Sequence, residues 1–186
     1  MSTPFGQIMQ HGYIVTSLEE SARQWVERLG IGPFYIIEAV RLDEYTYRGK
    51  KTDLEMRIAF GYWGNIQIEL VQPVSTTDTL YTRAVKTDAG KINHCATVVS
   101  DLDALIKSHK LQGKEIQAGS MNSGVKFVYL DSYLPGGLHL ELIQATNETI
   151  MGNAAMEAVA RQWDGKNPVR PISMLGEDAA KLRPAG

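Results

Sequence analysis

Residues 11–20, His11-Gly-Tyr-Ile-Val-Thr-Ser-Leu-Glu-Glu20, and residues 94–103, His94-Cys-Ala-Thr-Val-Val-Ser-Asp-Leu-Asp103, decide the fold. Each opens with a histidine inside an apolar run that reads as a strand, then reaches a serine-led signal for a capped helix start. Behind the first, Leu18, Ala22, Trp25, Val26 and Leu29 form the stripe of an amphipathic helix, and Gly30 is placed to stop it. Behind the second, Leu102, Leu105 and Ile106 do the same, with Gly113 as the stop. Working outward, strands follow at GIGPFYIIEAV, LEMRIAF and NIQIELVQP in the first unit, the last two joined by a turn at 61–65. EIQAG, VKFVYLD and LHLELIQ follow in the second, with a Pro135-Gly136-Gly137 turn. The order is strand, helix, three strands, twice over, which is an internal repeat. Both units close on matching segments, I-E-L around Glu69 and L-E-L around Glu141. The first is longer, and its surplus falls in the polar stretch 41–53, RLDEYTYRGKKTD.

The reading is therefore an α+β protein of two tandem βαβββ modules, at about residues 8–73 and 92–145, within a domain spanning 1–145. Residues 146–186 form an extension. Its first part, TNETIMGNAAMEAVARQW, reads as a helix with Ile150, Met151, Ala154, Ala155, Ala158 and Val159 apolar. Asp164-Gly165 and Asn167-Pro168 break the pattern, and an irregular tail is expected beyond. The helix has an apolar face that needs cover. A homodimer is expected, with residues 147–163 at its interface or folded back over the modules.

Composition bounds the function. Of 186 residues, 44% are hydrophobic and 22% charged, which suits one globular unit with a real core and excludes disorder as the main state. With 19 Lys plus Arg against 21 Asp plus Glu, the chain lacks the basic surface of a nucleic-acid binder. Cys95 is the single cysteine, so no intrachain disulfide forms and a reducing compartment is expected. The start, MSTPFGQIMQHGY, has no basic segment leading into an apolar one. Apolar runs stay far below the about 18 residues of a membrane span. A cytoplasmic protein without nucleic-acid or membrane partners is expected.

Strand alternation locates the chemistry. In NIQIEL, Ile66, Ile68 and Leu70 form an apolar face, with Gln67 and Glu69 opposite. In LHLELIQ, Leu138, Leu140 and Leu142 are apolar, with His139 and Glu141 opposite. A period of two turns those polar groups away from the helices. If the two polar faces meet, His11, Glu69, His94 and Glu141 converge in one cleft, and two imidazoles with two carboxylates suit a divalent transition metal.

This arrangement resembles the vicinal oxygen chelate superfamily, which includes lactoylglutathione lyase (glyoxalase), methylmalonyl-CoA epimerase, the extradiol dioxygenases and the bleomycin-resistance proteins. The resemblance covers about residues 8–145 and leaves the extension aside. It implies paired βαβββ modules whose cupped mixed sheet surrounds a metal site, with ligands at His11, Glu69, His94 and Glu141. The segment IELVQP is similar to the epimerase version of the second ligand position. NHCATVV and LHLELIQ fit the third and fourth.

The resemblance implies one divalent ion per chain, Co, Ni, Zn or Mn ahead of Fe, and a small carbonyl or thioester substrate. The implied activity is that of a glyoxalase- or epimerase-like isomerase or lyase, which abstracts a proton beside a carbonyl and stabilises a metal-bound enolate. Glu141 is the first candidate base and Glu69 the second. The alternation in LEMRIAF, with Leu54, Met56, Ile58 and Phe60 facing the helix, would turn Glu55 and Arg57 into the cleft. Glu55 is then a third acid–base candidate and Arg57 a substrate contact. His139 shares the face of Glu141 and is a further candidate contact. His109, Trp25 and Cys95 read as structural. Gly30-Ile-Gly-Pro-Phe34 lacks the third glycine and the helix of a dinucleotide fingerprint. Two alternatives stay open: a bleomycin-resistance-type binding protein without turnover, and a non-haem iron ring-cleaving dioxygenase.

Overall fold

A computed structural model describes residues 3–183. The first unit runs β1 (Ile8–Ile14), α1 (Leu18–Leu29), β2 (Phe34–Arg41), β3 (Glu44–Tyr47), β4 (Lys50–Lys51), β5 (Glu55–Trp63) and β6 (Ile66–Pro73). A linking helix α2 (Leu80–Thr87) leads to β7 (Ile92–Val98), α3 (Leu102–Ser108), β8 (Glu115–Ser120), β9 (Lys126–Leu130) and β10 (His139–Gln144). The extension supplies α4 (Asn147–Arg161), β11 (Val169–Pro171), a 3-10 turn at Ile172–Met174 and α5 (Leu175–Ala180).

Local chemistry explains the helix ends. The Ser17 hydroxyl accepts from the Glu20 N–H at 3.3 Å, and Gly30, at φ 67°, takes the left-handed conformation that closes α1. In the second unit the cap is Asp101 rather than Ser100, its carboxylate accepting from the Ala104 N–H at 2.8 Å. A full negative charge answers the positive helix start better than a hydroxyl one residue earlier. Each helix is also tied to the last strand of its own unit. Gln72 accepts from the Leu18 N–H at 3.2 Å, and Gln144 accepts from the Leu102 N–H at 2.9 Å. The pair of motifs is thus E-L-x-Q, the glutamate facing one way and the glutamine fastening the helix. The α2 helix was not apparent from periodicity; it starts on a reciprocal pair in which Thr82 stands where a capping box usually has Glu or Gln.

All strands join one 11-stranded mixed sheet in the order β11-β2-β5-β6-β1-β7-β10-β9-β8-β3-β4. At its centre β1 and β7 are antiparallel; each lies parallel to the last strand of its own unit, β6 or β10. Only Leu42 and Asp43 separate β2 from β3, yet these strands lie near opposite ends of the order. A chain spans at most about 3.5 Å per residue, so the two ends must meet and the sheet must curl into a cup. The surplus stretch 41–53 is the fastener: β3 leaves its own unit and pairs antiparallel with β8 of the other.

The cup has an outer face under helices and an inner apolar face. Outside, α1 packs Leu18 and Ala22 against Ala59, Ile68 and Leu70, and α3 packs Leu102 against Val128, Leu130, Leu140 and Leu142. Inside, Val40, Tyr45, Met56, Ile58, Val71 and Phe127 pack together with Tyr81 of α2. This reverses the expected orientation of β5. Met56, Ile58 and Phe60 face the interior, while Ala59 lies under α1 and Arg57 sits on the helix side. The cup interior is as apolar as the helix interface, so hydrophobicity alone did not distinguish the two faces of that strand.

The extension is ordered rather than an irregular tail. α4 folds back over its own chain, burying Met156 and Val159 against Tyr35 and Tyr62, and β11 adds parallel to β2. Trp163 covers Gly32, where a Cβ would come within 2.8 Å of the indole. Asp178, 7% exposed, receives the Tyr35 hydroxyl at 2.8 Å and the Arg170 guanidinium at 2.6 Å. Among the described residues no helix is long and apolar enough to cross a membrane. Asp178→Ala strands a buried guanidinium and a buried phenol, and is expected to cost about 3 kcal/mol in urea unfolding. A loss below about 0.5 kcal/mol would show that this cluster does not fasten the extension.

Candidate metal centre

β6, β7 and β10 bring Glu69, His94 and Glu141 together inside the cup. One ligand atom from each lies within 4.8 Å of the others. His94 is fully buried, Glu69 is 8% exposed and Glu141 6%. His94 Nε2 stands 3.1 Å from Glu69 Oε2 and 3.3 Å from Glu141 Oε2. Ligand atoms about 2.1 Å from one ion lie about 3–4 Å apart, so both carboxylates already hold a suitable separation from the imidazole. The Tyr129 hydroxyl lies 3.3 Å from the same nitrogen and receives the Tyr81 hydroxyl at 2.9 Å. Space for the ring comes from Gly12, directly across the β1–β7 pair; a Cβ there would fall 1.8 Å from the imidazole Cε1.

Electrostatics follow from burial. Burial alone would strip the proton from His94, but hydrogen bonds and charge from Glu141 and Glu69 outweigh it and hold the imidazolium up to about 9. Burial raises Glu141, with His94 pulling it back. Tyr81 and Tyr129 are pushed well above the usual phenol value, by burial first and then by the neighbouring carboxylates. Both therefore stay protonated and serve as donors.

His11 does not join the cluster. In the parallel pairs, Gln10 opposes Gln67 in β1–β6, and His94 opposes His139 in β7–β10. Since Glu69 and Glu141 are equivalent, so are Gln67 and His139, and the counterpart of His94 is Gln10. His11 lies one residue further on and faces the other side of the sheet, as a single-residue slip requires. Its basicity is lowered by burial and by the charge of His94. The signal was present: aligning Val15-Thr-Ser-Leu18 with Val99-Ser-Asp-Leu102, rather than histidine with histidine, brings Gln10 opposite His94.

Gln10 is 3% exposed and lines the same cavity as Glu69 and Glu141. Its Nε2 donates to Gln67 Oε1 at 2.6 Å, while its own Oε1 is buried without a hydrogen-bond partner. Gln67 in turn donates to the Tyr62 hydroxyl at 3.0 Å and to Asn153 Oδ1 of α4 at 3.2 Å. An orphaned buried acceptor is costly, and a cation beside it would satisfy it. Two carboxylates, one imidazole and one amide oxygen form a nitrogen–oxygen donor set that fits a divalent ion.

The remaining expected site residues lie elsewhere. Arg57 is bound on the outer face, to Glu19 of α1 at 2.5 Å and Glu38 at 2.7 Å. Glu55 starts β5, 3.7 Å from Arg41. His139 shares the strand of Glu141 but is held at the β9–β10 turn, its Nδ1 accepting from the Ser132 N–H at 3.1 Å. Burial lowers its basicity against the opposing charge of Asp131.

Comparison with known proteins agrees with this architecture. The family model described as Glyoxalase/Bleomycin resistance protein/Dioxygenase superfamily matches residues 9–129, more than half of the chain. The chain belongs to that superfamily. A search of curated proteins finds no match to this sequence. Among solved structures, the chain is similar to methylmalonyl-CoA epimerase from Mycobacterium tuberculosis, at TM-score 0.57 and 18% identity over 81% of this chain and 95% of that one. It is also similar to a hypothetical protein from Bacillus halodurans C-125, at TM-score 0.55 and 19% identity over 76% and 95%. A third is a variant Streptomyces coelicolor methylmalonyl-CoA epimerase in complex with 2-nitronate-propionyl-CoA, at TM-score 0.53 and 15% identity over 76% and 95%. At these identities the likeness is one of fold.

Two expectations follow. Gly12→Ala drives a methyl group into the His94 ring, and is expected to cost about 1–3 kcal/mol of stability together with most divalent-metal binding, read by unfolding and by elemental analysis. Unchanged metal content in a folded variant would remove His94 from the ligand set. A metal held by His94 would have to displace the proton that His94 carries below about pH 9. Affinity should therefore weaken as pH falls, with about one proton released per ion near neutrality. Calorimetry in buffers of different ionisation enthalpy counts that proton, and a release of zero would contradict the protonated Glu69–His94–Glu141 arrangement.

Proposed function

We propose that this protein is a metal-dependent isomerase, epimerase or lyase that removes a proton next to the carbonyl of a small substrate. The observation that carries the reading is the buried Glu69–His94–Glu141 cluster facing a cavity of about 250 Å³ inside the cup. In this reading Glu69, His94 and Glu141 hold a divalent ion (Zn, Ni, Co or Mn), with the Gln10 amide oxygen as the fourth protein donor. A bound divalent ion would supply Lewis acidity to a carbonyl oxygen and so ease loss of the adjacent proton.

The chain's own residues supply the rest. Glu141 and Glu69 both line the cavity, and Glu141 is the preferred base because burial raises its basicity. The Tyr129 phenol hydrogen-bonds Glu141 and limits how that carboxylate turns. Apolar walls exclude water, which strengthens every charge interaction at the cluster. Glu55 and Arg57, outside the cavity, have no part in this scheme.

The dioxygenase reading is weaker on the same geometry. The iron site of such enzymes uses two histidines and one carboxylate, whereas one histidine and two carboxylates meet here. The binding-protein reading shares the fold but leaves three buried ionisable groups without a purpose.

Glu141→Gln tests the assignment. The variant should keep part of its metal, because the other donors remain. Solvent deuterium entry at the α-carbon, screened over ketones and acyl thioesters, should fall by about 10²–10⁴-fold. Full exchange with metal retained would move the base to Glu69. Absence of exchange in every compound that the metal-loaded wild-type protein binds would favour the binding protein.

A further inference from the structure

The cavity has a chemical signature of its own. Its walls are apolar, built from Ile37, Val40, Met56, Ile58, Phe60 and Phe127 with further aliphatic side chains. Its polar groups are neutral amides and hydroxyls, apart from Glu69 and Glu141. Among the described residues lining it there is no lysine and no arginine. The shallow groove outside, which shares Met9, Val98 and Asn153 with the cavity, adds no cation either and contributes Glu157. The nearest candidate from the sequence, Arg57, is committed to Glu19 and Glu38 on the far side of the sheet.

These facts constrain the occupant. Along these walls a carboxylate would be desolvated among aliphatic side chains with no guanidinium or ammonium to receive it, and at the cluster it would meet Glu69 and Glu141, whose charge already occupies the His94 imidazolium, or a divalent ion in its place. The groove at the mouth offers a phosphate-bearing carrier no lysine or arginine among the described residues that line it. Size constrains it as well. A dry apolar cavity of about 150 Å³ takes benzene, so the 250 Å³ present here holds roughly ten carbon atoms by the same measure.

We infer that the ligand of this site is an uncharged, largely apolar compound of about ten carbons, its carbonyl oxygen directed at the Glu69–His94–Glu141 cluster and its hydrocarbon body held by the β2, β5 and β9 walls. A monocyclic ketone has this chemistry; carboxylic acids and CoA esters do not. The inference rests on the proton-abstraction reading only for the direction of the carbonyl.

The probes are menthone, a neutral ten-carbon cyclic ketone with an epimerisable α-carbon, 4-isopropylbenzoate, a ten-carbon carboxylate, and propionyl-CoA. Binding is measured by calorimetry on the metal-free and the metal-loaded full chain. Menthone is expected to bind with a Kd below about 1 mM, and both anionic probes at least about tenfold more weakly. Ile58→Phe, which fills the wall, should weaken menthone about tenfold without changing metal content. Should that variant fold poorly, Val98→Phe at the exposed mouth repeats the test without entering the packed wall. An anionic probe that binds more tightly than menthone overturns the inference. So does menthone binding weaker than about 1 mM, or menthone affinity unchanged in a folded cavity variant. The two readings fail separately. Menthone that binds yet neither epimerises nor takes up deuterium leaves the ligand class standing and removes the catalysis. Deuterium exchange in propionyl-CoA without menthone binding does the reverse.

Discussion

Two carboxylates and one imidazole, each less than a tenth exposed, sit inside an apolar cup, and the rest of the structure is arranged around that constraint. Isolated charges at such a depth are unfavourable unless paired. Here one proton on His94 serves both Glu69 and Glu141, at 3.1 and 3.3 Å. Tyr129, kept protonated, hydrogen-bonds Glu141, and Tyr81 donates to Tyr129 from behind at 2.9 Å. A divalent ion with neutral His94 would balance the same two carboxylates completely. The cluster therefore holds together without metal, and Gly12 is the backbone concession that lets the ring occupy its place.

Depth requires closure, and closure comes from topology. An open sheet would leave the inner face wet. The two-residue step from β2 to β3 forces distant edges of the sheet together, and the β3–β8 pairing fastens them. α2 then brings Tyr81 into the interior, while α4 covers Tyr35 and Tyr62 at the other end. The helices outside are clamped to the same strands that carry the site. Gln72 and Gln144 fasten α1 and α3 three residues beyond Glu69 and Glu141, so one short segment both aims a carboxylate inward and anchors a helix outward.

Much of this is legible in the chain. The repeat, the capped helices, the last strand of each unit and the shared face of Glu69 and Glu141 away from the helices all follow from alternation and punctuation. What escapes has physical causes. His11 attracts the eye because it is a histidine at the start of a repeat, but register depends on backbone pairing, and one residue reverses the face. β5 is apolar on the interior side and carries Arg57 and Ala59 on the helix side, so a rule that sends apolar residues toward the helix misplaces Glu55 and Arg57. The extension beyond residue 161 has no period to read. Its order comes from tertiary partners far away in sequence, Trp163 on Gly32 and Asp178 between Tyr35 and Arg170.

The extension also reaches the chemistry. Asn153 of α4 accepts from Gln67 at 3.2 Å, and the Tyr62 hydroxyl accepts from the same amide group at 3.0 Å. With its N–H bonds so directed, Gln67 turns its oxygen toward Gln10, which donates to it at 2.6 Å. The Gln10 amide is thereby oriented, its nitrogen occupied and its oxygen left as the buried acceptor without a partner. A histidine at this position would present its ring nitrogen with no need of such a relay, because one face of the strand already aims it. A glutamine has two ends of opposite character and needs a neighbour to choose between them. Three amides in sequence make that choice, and the first of them belongs to a helix outside the region that the family model matches. The residue at the β1 position and the helix that covers the cup thus form one device: without Asn153, Gln67 is free to turn over and offer Gln10 a donor, and the oxygen that suits a cation would turn away with it.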